Sequence, residues 1–383
     1  MRIGLDAREA WRLQPRGVGI YVRHLLHEFG RRDHGAVAAD VEFLLYHQRS
    51  LPPGELDLGP NLHAVRTDLP GGRLHAWERV QMPWRMRRDH VDVYHGTYNT
   101  LPPRWRLWRG PPMVVTLHDV IVTWWPADDG DEFVRYARTV TPRVVRDAAL
   151  ILTVSDWSKN DICTRFHCDP QRVRVIRNGL ADAFLAGAPP GAGDAARARH
   201  AGGRPYLYSP GAPLERKNTA RLLEAFGRLR AARPDLPHLL LVSGLGGHEP
   251  RFAALAAAHG CAGQVRFLPY VTRNELIGLY AGADLTVYPT RIEGWGFPVV
   301  ESLVLGTPVA TSNTSALPEA GGEHAHYFDP ESAESMAHCI EQALERRAEW
   351  DRMRPAAVAR ARTFTWRRTA AEVLACYREA VQR

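Results

Sequence analysis

The stretch Pro289-Thr-Arg-Ile-Glu293-Gly-Trp-Gly-Phe-Pro298-Val-Val-Glu301-Ser-Leu-Val-Leu-Gly306-Thr-Pro308 follows a short apolar run over 285–288. That run reads as a strand, and a helix is predicted to open at Phe297 and Pro298, where proline suits the first turn. Gly306 is placed to end the helix. Strand, glycine-bearing turn and helix in that order are the pieces of a βαβ unit, which implies a parallel sheet. Gly294 and Gly296, on either side of Trp295, let backbone amides approach a ligand, and the helix start attracts an anion such as a diphosphate. Glu293 before the helix and Glu301 one turn inside it can each accept hydrogen bonds from hydroxyls. That suits a sugar on one side of the diphosphate and a ribose on the other. The plainer alternative is that both acids only cap or solvate the helix start.

The same alternation extends in both directions. A first series of strands is predicted at 2–6, 41–46, 91–95, 113–118, 150–154 and 173–177, and a second at 206–209, 238–242, 265–268, 285–288 and 308–311. Phe133, Tyr136, Ala137, Val140, Val144 and Ala148 recur at helical spacing, as do Leu222, Leu223, Phe226 and Leu229 within a helix predicted over 219–230. Ala186-Gly-Ala-Pro-Pro-Gly-Ala-Gly193 breaks both patterns and reads as the linker. The division expected is therefore 1–185 and 186–365, each a doubly wound α/β domain. A final helix over 366–381, capped by Thr365 and extending to the end of the chain, can return to the first domain. A length of 383 residues suits two domains. Hydrophobic residues at 45% and charged residues at 24% give a chain able to build cores.

The five cysteines are scattered and form no Cys-x-x-Cys pair, so neither a disulfide framework nor a zinc site is expected. No signal-like segment opens the chain, and no apolar run reaches the ~18 residues of a membrane span. A cytoplasmic location is expected, with the inner face of a membrane as the alternative. The net charge of +7, from 49 Lys+Arg against 42 Asp+Glu, favours partners carrying phosphate. Arg104-Trp-Arg-Leu-Trp-Arg109 allows a peripheral membrane contact, and a nucleic-acid partner is not expected.

Further candidates stand in loops after predicted strands, where α/β sheets bind ligands. Gly211-Ala-Pro-Leu-Glu-Arg216-Lys217-Asn218 brings two cations to a helix start, suited to a diphosphate that gains charge as a sugar leaves. Arg16-Gly17-Val18-Gly19 lies between a strand and a helix. Val22 stands where a dinucleotide fingerprint needs a third glycine, which weakens a nicotinamide-dependent oxidoreductase reading. His118 and Asp119 close a predicted strand. Asp129-Gly-Asp131 mimics a metal-binding pair but reads as a helix cap, so no metal is expected.

Taken together, Glu293-x7-Glu301, the Gly306-Thr-Pro308 continuation, Arg216-Lys217-Asn218, the Gly17/Gly19 loop and His118 resemble glycosyltransferase family 4 over nearly the whole chain. That family is retaining and has the GT-B fold, two Rossmann-like domains facing across a cleft. The resemblance implies that Glu293 contacts the donor sugar, that Glu301 holds the ribose hydroxyls, and that His118 approaches the transferred sugar. It implies a nucleotide-binding second domain, with Gly17, Gly19, Gly211, Arg216, Lys217 and Gly294 to Pro298 along the donor and Tyr270 and Val271 at the nucleobase. Asp119, Trp124 and Trp125 are the acceptor-side candidates. Many members carry an arginine where Ala212 stands, so Arg216 is expected to replace it. The activity implied is transfer of a hexose from GDP-mannose or a UDP-sugar to a glycan, lipid-linked or small-molecule hydroxyl. The nucleotide sugar is substrate, and no cofactor is expected. A noncatalytic sugar-nucleotide-binding protein is the runner-up.

Overall fold

The structure is a computed structural model that describes residues 1–13, 17–31, 40–48, 58–67, 76–104, 110–125 and 132–383. Arg16, residues 105–109 and residues 129–131 lie outside the described residues. The chain divides into two compact units, Met1–Gly179 with Thr365–Arg383, and Leu180–Phe364.

The first unit is built on seven parallel strands: β1 (Arg2–Asp6), β2 (Glu42–His47), β3 (Leu62–Arg66), β4 (Val93–Gly96), β5 (Met113–Thr116), β6 (Leu150–Thr153) and β7 (Val173–Val175). Their order is β3-β2-β1-β4-β5-β6-β7. Central strands β4, β5 and β6 are buried along their whole length, which explains their unbroken apolar runs. Edge strand β3 buries only Leu62 fully and was not expected from the sequence. β5 stops at Thr116, two residues before the expected end, so Leu117 and His118 begin the loop. The helix Trp366–Gln382 belongs to this unit, and Thr365 caps it by accepting from Arg368 N at 3.3 Å.

The second unit has β8 (Tyr206–Pro210), β9 (Leu239–Ser243), β10 (Val265–Phe267), β11 (Leu285–Tyr288), β12 (Val309–Ser312) and β13 (His326–Phe328), all parallel, in the order β10-β9-β8-β11-β12-β13. Strand β13, the unexpected one, is again an edge and only three residues long. Leu222, Leu223, Phe226 and Leu229 of the helix Thr219–Ala232 are buried, as their spacing predicted, and pack with Leu207, Leu240, Val242 and Val287. Cutting one of these buried leucines to alanine should cost about 2–5 kcal/mol.

The expected boundary needs correction. Residues 180–185 belong to the second unit, where Phe184 sets its ring edge-on to Tyr280 at 6.2 Å. The stretch 186–193 is not a linker. It leads into the helix Ala192–Ala201, and a Cβ at Gly193 would lie 3.0 Å from the backbone of Ala281 and Gly282. Small residues there permit close helix packing rather than freedom between domains.

Candidate active site

In the second sheet β8 and β11 are neighbours although β9 and β10 intervene in the chain, so connections leave them in opposite directions. A crevice at the carboxyl ends of such a strand pair is where open α/β sheets hold ligands. The loops following these two strands are tied together by backbone. Arg291 N donates to Arg216 O at 2.7 Å, and the single Thr290 hydroxyl proton is shared between that oxygen, 3.0 Å away, and Glu293 Oε1. Asn218, buried and left-handed at φ 60°, donates from Nδ2 to Pro289 O at 3.1 Å and Pro330 O at 2.8 Å. Asparagine tolerates that conformation better than most residues, and here its amide also pins both chains. Gly211 begins the loop after β8, with its N–H on Ser243 O at 2.9 Å.

The pinning gathers Arg216, Lys217 and Glu293 into one cluster. Glu293 Oε1 accepts from Lys217 Nζ at 2.6 Å, Arg216 Nη1 at 3.0 Å, Thr290 Oγ1 at 2.9 Å and Tyr288 OH at 3.0 Å. Among the described residues nothing donates to Oε2. The carboxylate is only 12% exposed. Burial by itself raises its pKa, but the charges of Lys217 and then Arg216 outweigh burial and leave it lowered. Lys217 spends a second proton on Tyr288 OH at 2.8 Å. Tyr288 is held protonated by burial and by the adjacent carboxylate, so it donates to Glu293 while accepting from Lys217. Two cations on one carboxylate leave a surplus positive charge. Ala212 supplies none of it, and Arg216 reaches into the cluster.

The helix Phe297–Val304 starts beside this cluster with Pro298 in its first turn, and Gly306 follows its end at φ 77°. Glu293 N donates to Ser315 Oγ at 3.0 Å, fixing the turn from behind. A Cβ at Gly296 would stand 2.9 Å from Ala320 Cβ and 3.1 Å from Leu317 Cδ2, so the glycine admits the helix Leu317–Gly321. Trp295 is buried edge-on to Phe364 at 5.3 Å, and among the described residues its Nε1 has no partner. Glu301 accepts from Tyr280 OH at 2.9 Å, and burial pushes its pKa up to about 7. Tyr270 and Val271 follow β10, two strands from β8. Tyr270 is 90% exposed and has no described link to the cluster.

In the first unit Gly17 takes φ 43° ahead of the helix Val18–Gly30, which buries Gly19 in its first turn. His118 donates its backbone N–H to Asn99 Oδ1 at 3.2 Å, and its ring meets Tyr21 edge-on at 4.8 Å. Burial lowers the ring's pKa to about 4, against a hydrogen bond with the Thr97 backbone that raises it. Nε2 is buried and has no partner among the described residues. Asp119 Oδ1 accepts from Ile121 N at 3.0 Å and so caps the turn Ile121–Thr123. Trp124 commits its Nε1 to Asp161 at 2.9 Å and carries Arg165 over its ring at 4.0 Å, while Trp125 O accepts from Arg138. Sequence reasoning missed the buried group Asp6, Arg8 and Glu78 past β1, where Arg8 bonds Asp6 at 2.6 Å and Glu78 at 3.3 Å. Among the described residues no group of three or more His, Cys, Asp or Glu is placed to hold a metal ion, and no helix is long and apolar enough to cross a membrane.

Residues 15–184 match the family model for Glycosyltransferase Family 4, and residues 194–360 match that for Glycosyl transferases group 1. The chain belongs to glycosyltransferase family 4. Over 298 residues it is 29% identical to O-antigen chain mannosyltransferase B of Escherichia coli, covering 77% of this chain and 76% of the relative. It is 28% identical to the MMP alpha-(1->4)-mannosyltransferase of Mycolicibacterium hassiacum, covering 72% and 67%. Its fold matches that of Anabaena Alr3699/HepE in complex with UDP-glucose, with a TM-score of 0.70 at 15% identity over 98% of each chain or more. This family-4 glycosyltransferase therefore has the paired doubly wound architecture that its sequence pattern predicts.

Proposed function

We propose that this glycosyltransferase moves a hexose, with retention of configuration, from a nucleoside diphosphate held by its second unit to a hydroxyl acceptor. The observation that carries the reading is the bonding of Glu293. Its Oε1 is saturated by Lys217, Arg216, Thr290 and Tyr288, while Oε2 is left to accept from a hydroxyl of the donor sugar. The surplus charge of Lys217 and Arg216 attracts a diphosphate and is worth most as negative charge builds on the departing group. Those two cations fill the place a metal would otherwise take, so the reaction is read as metal-independent. Glu301 grips the ribose, and neutral His118 serves the transferred sugar as positive charge develops at its anomeric carbon. The acceptor hydroxyl then attacks from the face the leaving group vacates. Both relatives named above are mannosyltransferases, which favours GDP-mannose as donor and a glycan or lipid-linked sugar as acceptor. UDP-sugars are the second donor class.

The test is turnover of GDP-mannose and UDP-glucose by purified wild type, Glu293→Ala and Lys217→Ala. Wild type consumes one of the two donors, each variant is slower by about 100-fold or more, and a chelator leaves the wild-type rate unchanged. Equal turnover in all three proteins removes the site assignment, and the product's anomeric configuration by NMR tests retention.

A further inference from the structure

Behind His118 runs a buried chain of hydrogen bonds that the proposed reaction does not use. Tyr377 OH lies 2.6 Å from His95 Nδ1, His95 Nε2 lies 2.8 Å from Thr116 Oγ1, and Thr116 Oγ1 lies 3.1 Å from Tyr21 OH. Tyr21 then presses edge-on to the His118 ring with centroids 4.8 Å apart at 90°. None of the four chain members exceeds 4% exposure. They come from four elements: the C-terminal helix, β4, β5 and the helix Val18–Gly30. His118 itself stands two residues after Thr116, its ring bonded to the Thr97 backbone and its Nε2 without a partner among the described residues.

The chemistry of the chain makes its members interdependent. Burial first, and the neighbouring His118 second, lower the His95 pKa to about 3, so its ring is neutral, with one donor and one acceptor nitrogen. If Tyr377 donates to Nδ1, then Nε2–H donates to Thr116, and the Thr116 hydroxyl is left to donate to Tyr21. If Tyr21 donates to Thr116 and the Thr116 proton stays within the chain, every bond runs in the other sense, and Nδ1–H donates to Tyr377. With the Thr116 proton kept in the chain, the four groups share one of two senses and reverse together. Removing the Tyr377 hydroxyl frees the His95 tautomer, and with it the hydroxyl that holds Tyr21.

We propose that Tyr377 is a positioning residue for His118, holding through His95, Thr116 and Tyr21 the aromatic wall against which the His118 ring is set. The C-terminal helix is on this account part of the catalytic apparatus and not only a brace. The inference rests on His118 serving the transferred sugar.

A double-mutant cycle on the full chain tests it, using turnover of the donor identified above with Tyr377→Phe, His118→Ala and the pair. Tyr377→Phe lowers kcat by about 10-fold, in the range that small misplacements cost, while the donor KM stays within about two-fold. In the His118→Ala background Tyr377→Phe has no further effect. If the two losses multiply in full, Tyr377 acts elsewhere and the proposal is overturned. An unchanged kcat in folded Tyr377→Phe overturns it equally. Should Tyr377→Phe fail to fold, Thr116→Val cuts the same chain and carries the same cycle. If His118→Ala alone leaves kcat unchanged, it is the premise about His118 that fails, a result separable from the other two.

Discussion

Glu293 and His118 both stand in loops just past the ends of central strands, β11 and β5, and both sit in buried surroundings. Their pKa values both move down, yet the outcomes are opposite. For Glu293 burial opposes ionisation, and Lys217 and Arg216 at 2.6 and 3.0 Å overcome it, so the group is an anion among cations. For His118 burial outweighs a hydrogen bond with the Thr97 backbone, so the ring is neutral, with Tyr21 edge-on to it at 4.8 Å. The lesson is that burial sets the stakes and the partners decide the charge. One unit presents a charged, rigidly pinned crevice suited to an anionic leaving group. The other presents a neutral, hydrogen-bonded wall suited to a sugar.

The largest effect on this contrast is expected from Asn218, since the charged cluster depends on loops it pins. Asn218→Ala loses the bonds to Pro289 O and Pro330 O and leaves at φ 60° a residue that tolerates the left-handed region less well than asparagine. The expected cost is about 2–4 kcal/mol in a urea titration, and Asn218→Gly, which relieves the backbone term only, should cost about 1 kcal/mol less. A full-length protein indifferent to both changes would mean that the loops are held by something else.

Much of the charged crevice was legible because it is local. Glu293 through Gly306 is one run of chain, and Arg216-Lys217-Asn218 is another, so residue type and spacing carried the signal. Tyr288 and Thr290 lie within or beside that text, but their bonds to Glu293 appear only once β11 is in place. The neutral wall was not legible, because His95 and Tyr377 are 282 residues apart and each looks like an ordinary core residue. The fold shows the same division. Buried central strands announce themselves as apolar runs, whereas edge strands β3 and β13, covered on fewer sides, do not. Gly296 and Gly193 were visible as glycines, but which atoms press on them depends on packing.

Glu301 offers a smaller effect that sharpens the electrostatic side. Burial keeps its proton on up to about pH 7, above the range of the unfolded chain. Its contribution to stability is therefore present in acid and lost as pH rises through about 7. A donor whose ribose hydroxyls bond the carboxylate favours the ionised form, so GDP-mannose, which has no titrating phosphate near neutrality, should bind several-fold tighter at roughly pH 8 than at roughly pH 6. Glu301→Gln should flatten that profile in calorimetry. A profile that persists in the variant assigns the titration to another group.

The smallest effect is expected at the rim of the neutral unit. Arg378 pairs with Asp40 at 3.0 Å, but the side chains are 51% and 69% exposed. Arg378→Ala should cost under about 1 kcal/mol in thermal melts, since solvent screens such pairs. A loss well above that would mean that the C-terminal helix is held by surface charge and not by its buried contact to His95.

The most direct test of the charged crevice is calorimetric titration of GDP and UDP into wild type and Lys217→Ala. One nucleoside diphosphate should bind wild type, with affinity about 10- to 100-fold weaker in the variant, the scale of a lost charge-assisted contact. Identical affinities in the two proteins, or no binding of either nucleotide to a folded wild type, would contradict the account.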